Sequence, residues 1–84
     1  AGATEFENFS HLEVQTATPA TSGSIRVSYR EDTTSSFTTI DTYTADSAAT
    51  SFETDNIGIT DIENIQVQVE MHGNFRLLAV LLYP

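Results

Sequence analysis

The C-terminal quarter of the chain carries its clearest pattern of apolar and polar positions. In residues 65–71 every second residue is apolar, which is the period of a β-strand with one face in water. Gly73 and Asn74 follow as a turn signal, and residues 75–83 are then apolar on both faces. The pattern predicts a C-terminal β-hairpin whose second strand is covered on both sides.

Shorter strands separated by polar turns are predicted upstream, at residues 11–16, 24–30, 37–44 and 50–54. The large side chains of the third strand fall three positions apart, so we expect a bulge near Thr39. A turn at Asp55 and Asn56 and a connecting segment over residues 57–64 should lead into the hairpin. Short strands with polar turns are typical of an all-β fold, here a small antiparallel, jelly-roll-like β-sandwich.

The chain of 84 residues is predicted to form one domain over residues 11–84. Residues 1–10, with Phe6 and Phe9 among acidic neighbours, are expected to be an N-terminal arm or edge strand that docks on a core or on a neighbouring molecule. Because the chain has no cysteine, a disulfide framework is excluded, and association is a common source of stability at this size.

Charge narrows the classes of partner. Twelve carboxylates face three arginines and no lysine, which gives a net charge of −9. This charge argues against binding to nucleic acid and against contact with anionic membranes, and no apolar run is long enough for membrane insertion. The composition resembles that of proteins from salt-loving archaea and their viruses, so a high-salt environment is expected.

Candidate catalytic and metal-binding residues are few. His11 and His72 lie far apart in the sequence, and no nucleophile motif is present, so we predict a protein that is not an enzyme. No cofactor is predicted. Ca²⁺ stays possible because Asp55, Asp61 and Glu63 offer hard oxygen ligands around a glycine, although their order differs from the twelve-residue calcium loop.

Glycan binding is the alternative function for a small β-sandwich. Such modules present exposed aromatic rings as stacking platforms. Tyr43 and Tyr83 are the aromatic residues that suit this role, and the chain has no tryptophan. A surface-glycan-binding module used in host or cell-surface attachment would depend on them.

The chain resembles small jelly-roll or β-sandwich modules of tailed-virus structural proteins. The resemblance rests on residues 61–70, the Gly73-Asn74 turn and residues 75–83, with residues 24–44 fitting the same plan. It implies a non-enzymatic structural or assembly module of the virion, as a head-decorating, tail or fibre component. The partners would be subunits of the same assembly, as a homo-oligomer. Its predicted interface residues are Phe6, Phe9, Leu78, Val80 and Leu82.

Overall fold

Two three-stranded antiparallel sheets form the fold in a computed structural model of the protein, which describes residues 7–32 and 35–84. The strands are β1 (Glu7–Thr16), β2 (Gly23–Glu31), β3 (Thr38–Thr44), β4 (Ser51–Ile62), β5 (Ile65–Gly73) and β6 (Leu77–Tyr83). Sheet A has the order β4-β1-β6, and sheet B has the order β3-β2-β5. The predicted all-β sandwich is confirmed.

The core lies between the two central strands. Leu12 and Val14 of β1 face Ile25 and Val27 of β2, and all four side chains are fully buried. Each pair is separated by one residue, so the period of two along both strands places apolar side chains on one face. The inward residues predicted for residues 24–30 are confirmed at Ile25 and Val27, while Tyr29 is half-buried.

β1 pairs with β6 in sheet A and β2 pairs with β5 in sheet B, and the chain crosses between the sheets from β1 to β2 and again from β5 to β6. Hydrogen bonds hold the two chain segments together where they cross. Ala17 N donates to Arg76 O at 2.8 Å, and the Asn74 side-chain oxygen accepts from the backbone N–H groups of Thr21 at 3.0 Å and Ser22 at 3.1 Å. The two strand pairs β1-β6 and β2-β5 are therefore joined to each other at this end of the molecule. We call this end of the molecule the corner end.

Two glycines are required at the corner end because the backbones approach closely there. A Cβ at Gly23 would lie 1.8 Å from the carbonyl oxygen of His72, and one at Gly73 would lie 2.0 Å from that of Ser22. Both glycines also have a positive φ, at 100° and 91°. A side chain at either position would therefore push β2 and β5 apart.

The predicted C-terminal hairpin is wrong. β5 belongs to sheet B and β6 to sheet A, so Gly73 and Asn74 form a crossover between sheets rather than a hairpin turn. The strands themselves lie where the pattern predicted them. The error concerned their partners, because alternation along one strand does not say which other strand it pairs with.

β6 is an edge strand of sheet A. The expectation that both of its faces are covered is wrong, because the fold has two layers and sheet A packs on sheet B with one face only. Thr16 pairs with Leu77 while Gln15 pairs with Ala79, and this register shift leaves Leu78 as an extra, bulged residue. The bulge shifts by one residue the alternation of side chains between the two faces of the strand. The inner face is formed by Leu77, Val80 and Leu82, which all pack against the core.

β4 is longer than predicted. The expected turn at Asp55 and Asn56 and the connection over residues 57–64 are wrong, because the strand runs on to Ile62. The turn signal reflects a local irregularity, since Asn56 has a φ of 57° and Gly58 a φ of 68° beside a register shift against β1. The bulge predicted near Thr39 is confirmed by a register shift in β3.

Candidate functional site

One long side of the sandwich is closed by side chains. Tyr43 of β3 shares a hydrogen bond of 2.5 Å with Thr54 of β4, and Thr54 Oγ1 donates to Asp41 at 2.5 Å. The Tyr43 ring also stacks on Phe52 with 5.3 Å between centroids. Burial raises the pKa of the Tyr43 hydroxyl, which keeps it in its neutral, donating form. These contacts link the edge strands of the two sheets on this side.

The opposite long side is bounded by β5 and β6, and we call it the open side. Within residues 7–32 and 35–84, no hydrogen bond joins β5 to β6. Val67 and Met71 of β5 lie opposite core-facing residues of β2, yet they are 40% and 46% exposed, and the bulged Leu78 is 66% exposed. The open side therefore has two free strand edges flanking apolar side chains that water reaches.

The outer face of sheet A carries a polar network centred on His11. Its Nδ1 lies 2.6 Å from Asp55 and its Nε2 lies 3.5 Å from Glu53, both on β4. From β6, Tyr83 donates a hydrogen bond of 3.0 Å to Glu13, and its ring lies 5.5 Å from the His11 ring. The hydrogen bond to Asp55 raises the pKa of His11, while hydrogen bonds from neighbouring side chains lower the pKa of Glu13.

In this network His11 is suited to be a structural cation rather than a catalytic base. Both ring nitrogens of His11 face carboxylates, so the protonated imidazolium fits the site better than the neutral ring. A histidine held in this form has no free nitrogen to take a proton from a substrate. The network ties the three strands of sheet A together.

A cleft opens at the end of the molecule opposite the corner, and we call it the end cleft. Its volume is about 570 Å³, and sheets A and B both contribute to it. Apolar lining comes from Phe9, Ile62 and Ile65, and acidic lining comes from Glu7, Asp32 and Glu63.

The predicted interface residues that the structure describes do not come together. Phe6 lies outside the described residues. Phe9 lines the end cleft, and Leu78 lies on the open side. Val80 and Leu82 are half-buried against the core, so the prediction that they share an outward face with Leu78 is wrong. The boundary placed after residue 10 falls within β1.

The open side also includes residues that the sequence did not single out. Val67 and Met71 occupy the apolar face of an alternating strand, which the pattern indicates as core. No local signal shows that this strand is an edge. Arg76 makes no side-chain hydrogen bond or ion pair within residues 7–32 and 35–84, and for this residue the scarcity of cations was the available signal.

Neither tyrosine is a free stacking platform. Tyr43 is 9% exposed and packs in the core, so its predicted role in glycan binding is wrong. Tyr83 is 41% exposed, but its hydroxyl is bonded to Glu13 and its ring contacts His11.

The candidate Ca²⁺ ligands lie apart along β4. Asp55 contacts His11, whereas the backbone N–H of Asp61 donates to the side chain of Asn8, which lies three residues from His11 on β1, roughly 10 Å away at the usual rise. Among the described residues, no group of three or more His, Cys, Asp or Glu side chains could hold a metal ion.

The described part of the chain contains no helix that is long and apolar enough to cross a membrane. Comparison with known proteins gave no match to a family model, to a curated protein or to a solved structure.

Proposed function

We propose that this protein is a non-enzymatic structural module that assembles with copies of itself through its open side, as a component of a virus particle. The observation that carries the proposal is the pair of free edges, β5 and β6, beside the exposed side chains of Val67, Met71 and Leu78. An unpaired edge with exposed apolar residues is a site where another strand can add.

The distribution of charge favours a second copy as the occupant of the open side. The chain carries a net charge of −9, so two copies repel each other over most of their surface. β6 carries no Asp, Glu, Lys or Arg, and the inward face of β5 holds Val67, Val69 and Met71. Two copies therefore meet with the least electrostatic cost along this side. A two-fold contact between identical edges is the commonest form of such association.

The virus setting rests on the resemblance of residues 61–83 to modules of tailed-virus structural proteins. The two three-stranded antiparallel sheets are compatible with a small β-sandwich, the coarser fold class of those modules. Such particles are built from many copies of small subunits, so self-association is the property that this role requires.

Replacement of Leu78 by Asp tests the open side. Leu78 is 66% exposed, so the substitution should leave the fold intact while placing a carboxylate in the contact. We expect the unmodified protein to associate with rising concentration in sedimentation velocity at 1 M NaCl, where general repulsion is screened. Leu78→Asp should stay monomeric.

Thr60→Asp is the matched control. Thr60 is exposed on β4, the other edge strand of sheet A, and the substitution adds the same charge on the closed side. It should associate as the unmodified protein does. Circular dichroism confirms folding of both variants. A monomeric unmodified protein, or equal association of Leu78→Asp and the unmodified protein, would exclude the proposal.

A further inference from the structure

We propose that copies of this chain also join end to end, with Arg76 of one copy seated in the end cleft of the next. The inference rests on the proposed self-assembly and adds a second, polar contact to it. It turns a pairwise association into a chain of subunits.

Arg76 is the one arginine without a partner within the described residues. Arg26 forms an ion pair with Glu70. Arg30 donates to Gln66 at 2.8 Å and lies over the Phe37 ring at 4.4 Å. The Arg76 guanidinium is exposed and makes no hydrogen bond or ion pair in this part of the chain. In a protein with three cations and twelve carboxylates, an unpaired guanidinium is available for a contact between molecules.

The end cleft offers the groups that a guanidinium binds. Glu7 and Glu63 line it, and the described residues supply neither carboxylate with an ion-pair or hydrogen-bond partner. The Phe9 ring adds an aromatic surface on which a guanidinium can lie, as Arg30 lies on Phe37 in this same fold. The volume of about 570 Å³ is in the range of clefts that enclose a side-chain-sized ligand.

Arg76 and the end cleft lie at opposite ends of the molecule. β1 begins with Glu7 at the cleft and ends with Thr16 at the corner, where Ala17 N donates to Arg76 O. The longest dimension of the molecule is 47 Å, about twice the other two at 23 Å and 21 Å. Arg76 therefore cannot reach the cleft of its own chain, and only another copy can supply it.

Charge disfavours an end-to-end contact between two cleft ends. The cleft end is acidic, with Glu7, Asp32 and Glu63 lining the cleft, so two cleft ends repel each other. Among the residues of the corner end, at 17–23, 45–50 and 73–76, the charged side chains are Asp46 and Arg76. A corner end can therefore approach a cleft end. This contact is heterologous, and without ring closure it produces an open filament.

A mixing experiment tests the end-to-end contact. Arg76→Glu keeps the cleft and removes the guanidinium, whereas Glu63→Arg keeps the guanidinium and changes the cleft. Each variant alone should lose end-to-end association, with a dissociation constant raised at least about tenfold. A one-to-one mixture should regain chain formation with the two variants alternating, because the original pair and the exchanged pair then alternate along the chain. The double variant Arg76→Glu with Glu63→Arg should regain chain formation through the exchanged pair.

All of these variants also carry Leu78→Asp, which removes the open-side contact. Sedimentation at 0.1 M and at 1 M NaCl then reports the end contact alone. High salt should weaken the end contact, whereas high salt should strengthen the open-side contact. Arg26→Glu is the control with the same change in charge on the face of sheet B, and it should leave end-to-end association unchanged.

Three results would overturn the inference. They are chain formation by Arg76→Glu, a mixture that stays monomeric, and a double variant that does not regain association. None of these affects the open-side proposal, which is tested in the parent protein at 1 M NaCl. If the end contact behaves as expected but the unmodified protein and Leu78→Asp associate equally at 1 M NaCl, the open-side proposal is excluded and the end-to-end contact is not.

Discussion

Thr16 is a buried polar residue whose replacement should stabilise the protein. It is 4% exposed at the end of β1, and no described residue offers its Oγ1 a hydrogen bond. Its backbone N–H donates to Thr50 O at 2.9 Å and does not depend on the side chain. Thr16→Val replaces the hydroxyl by a methyl group of nearly the same shape.

The size of the effect follows from the cost of burying a hydroxyl. An unsatisfied buried polar group costs about 1–3 kcal/mol, and replacement by an apolar group of the same shape removes that cost. We take about 1 kcal/mol as the expected gain in the free energy of unfolding. With roughly 2.1 cal/mol/K of unfolding entropy per residue, the 84-residue chain should gain about 6 °C in Tm.

Thermal and urea unfolding followed by circular dichroism measure the gain. Thr60→Val is the control, because Thr60 is exposed on β4 and its hydroxyl is hydrated. The control should change stability by less than about 0.5 kcal/mol, and the urea m-value should stay constant in both variants. A lower Tm for Thr16→Val than for the unmodified protein would refute the reasoning, because it would mean that the hydroxyl stabilises the fold.

Three further predictions concern pH, salt and the closed side. The pKa of His11 is raised in the folded state, chiefly by the hydrogen bond to Asp55. The contribution of His11 to the free energy of unfolding should therefore be complete below about pH 6.5, and it should be lost as pH rises through the folded pKa. The free energy of unfolding of His11→Gln should depend less steeply on pH than that of the unmodified protein, and an equal dependence would contradict this. Tm should rise between 0.1 M and 1 M NaCl because salt screens repulsion within a chain of net charge −9, and a flat response would contradict this. Tyr43→Phe removes the buried hydrogen bond to Thr54 and should cost about 1 kcal/mol by urea unfolding, whereas an unchanged midpoint would show that this bond contributes nothing.

Some of the residues behind the open-side and end-cleft proposals could be identified from the sequence, and others could not. The scarcity of cations made Arg76 a candidate for pairing before its position was known. The exposure of Val67 and Met71 had no such signal, since an apolar residue on an alternating strand has the same pattern at an edge as at the centre of a sheet. For Leu78, a one-residue bulge opposite Thr16 decides which neighbours face the core.

The amino-acid sequence by itself located the six strands, though not the full lengths of β1 and β4, because the alternation of side chains with a period of two is a property of each segment alone. It also determined the all-β class, the buried pair Ile25 and Val27 and the high negative charge. The tertiary structure decided which strands pair, and it placed residues 65–73 and 77–83 in different sheets. The physical reason is that pairing depends on the combined burial of side chains from distant segments, which no single segment encodes.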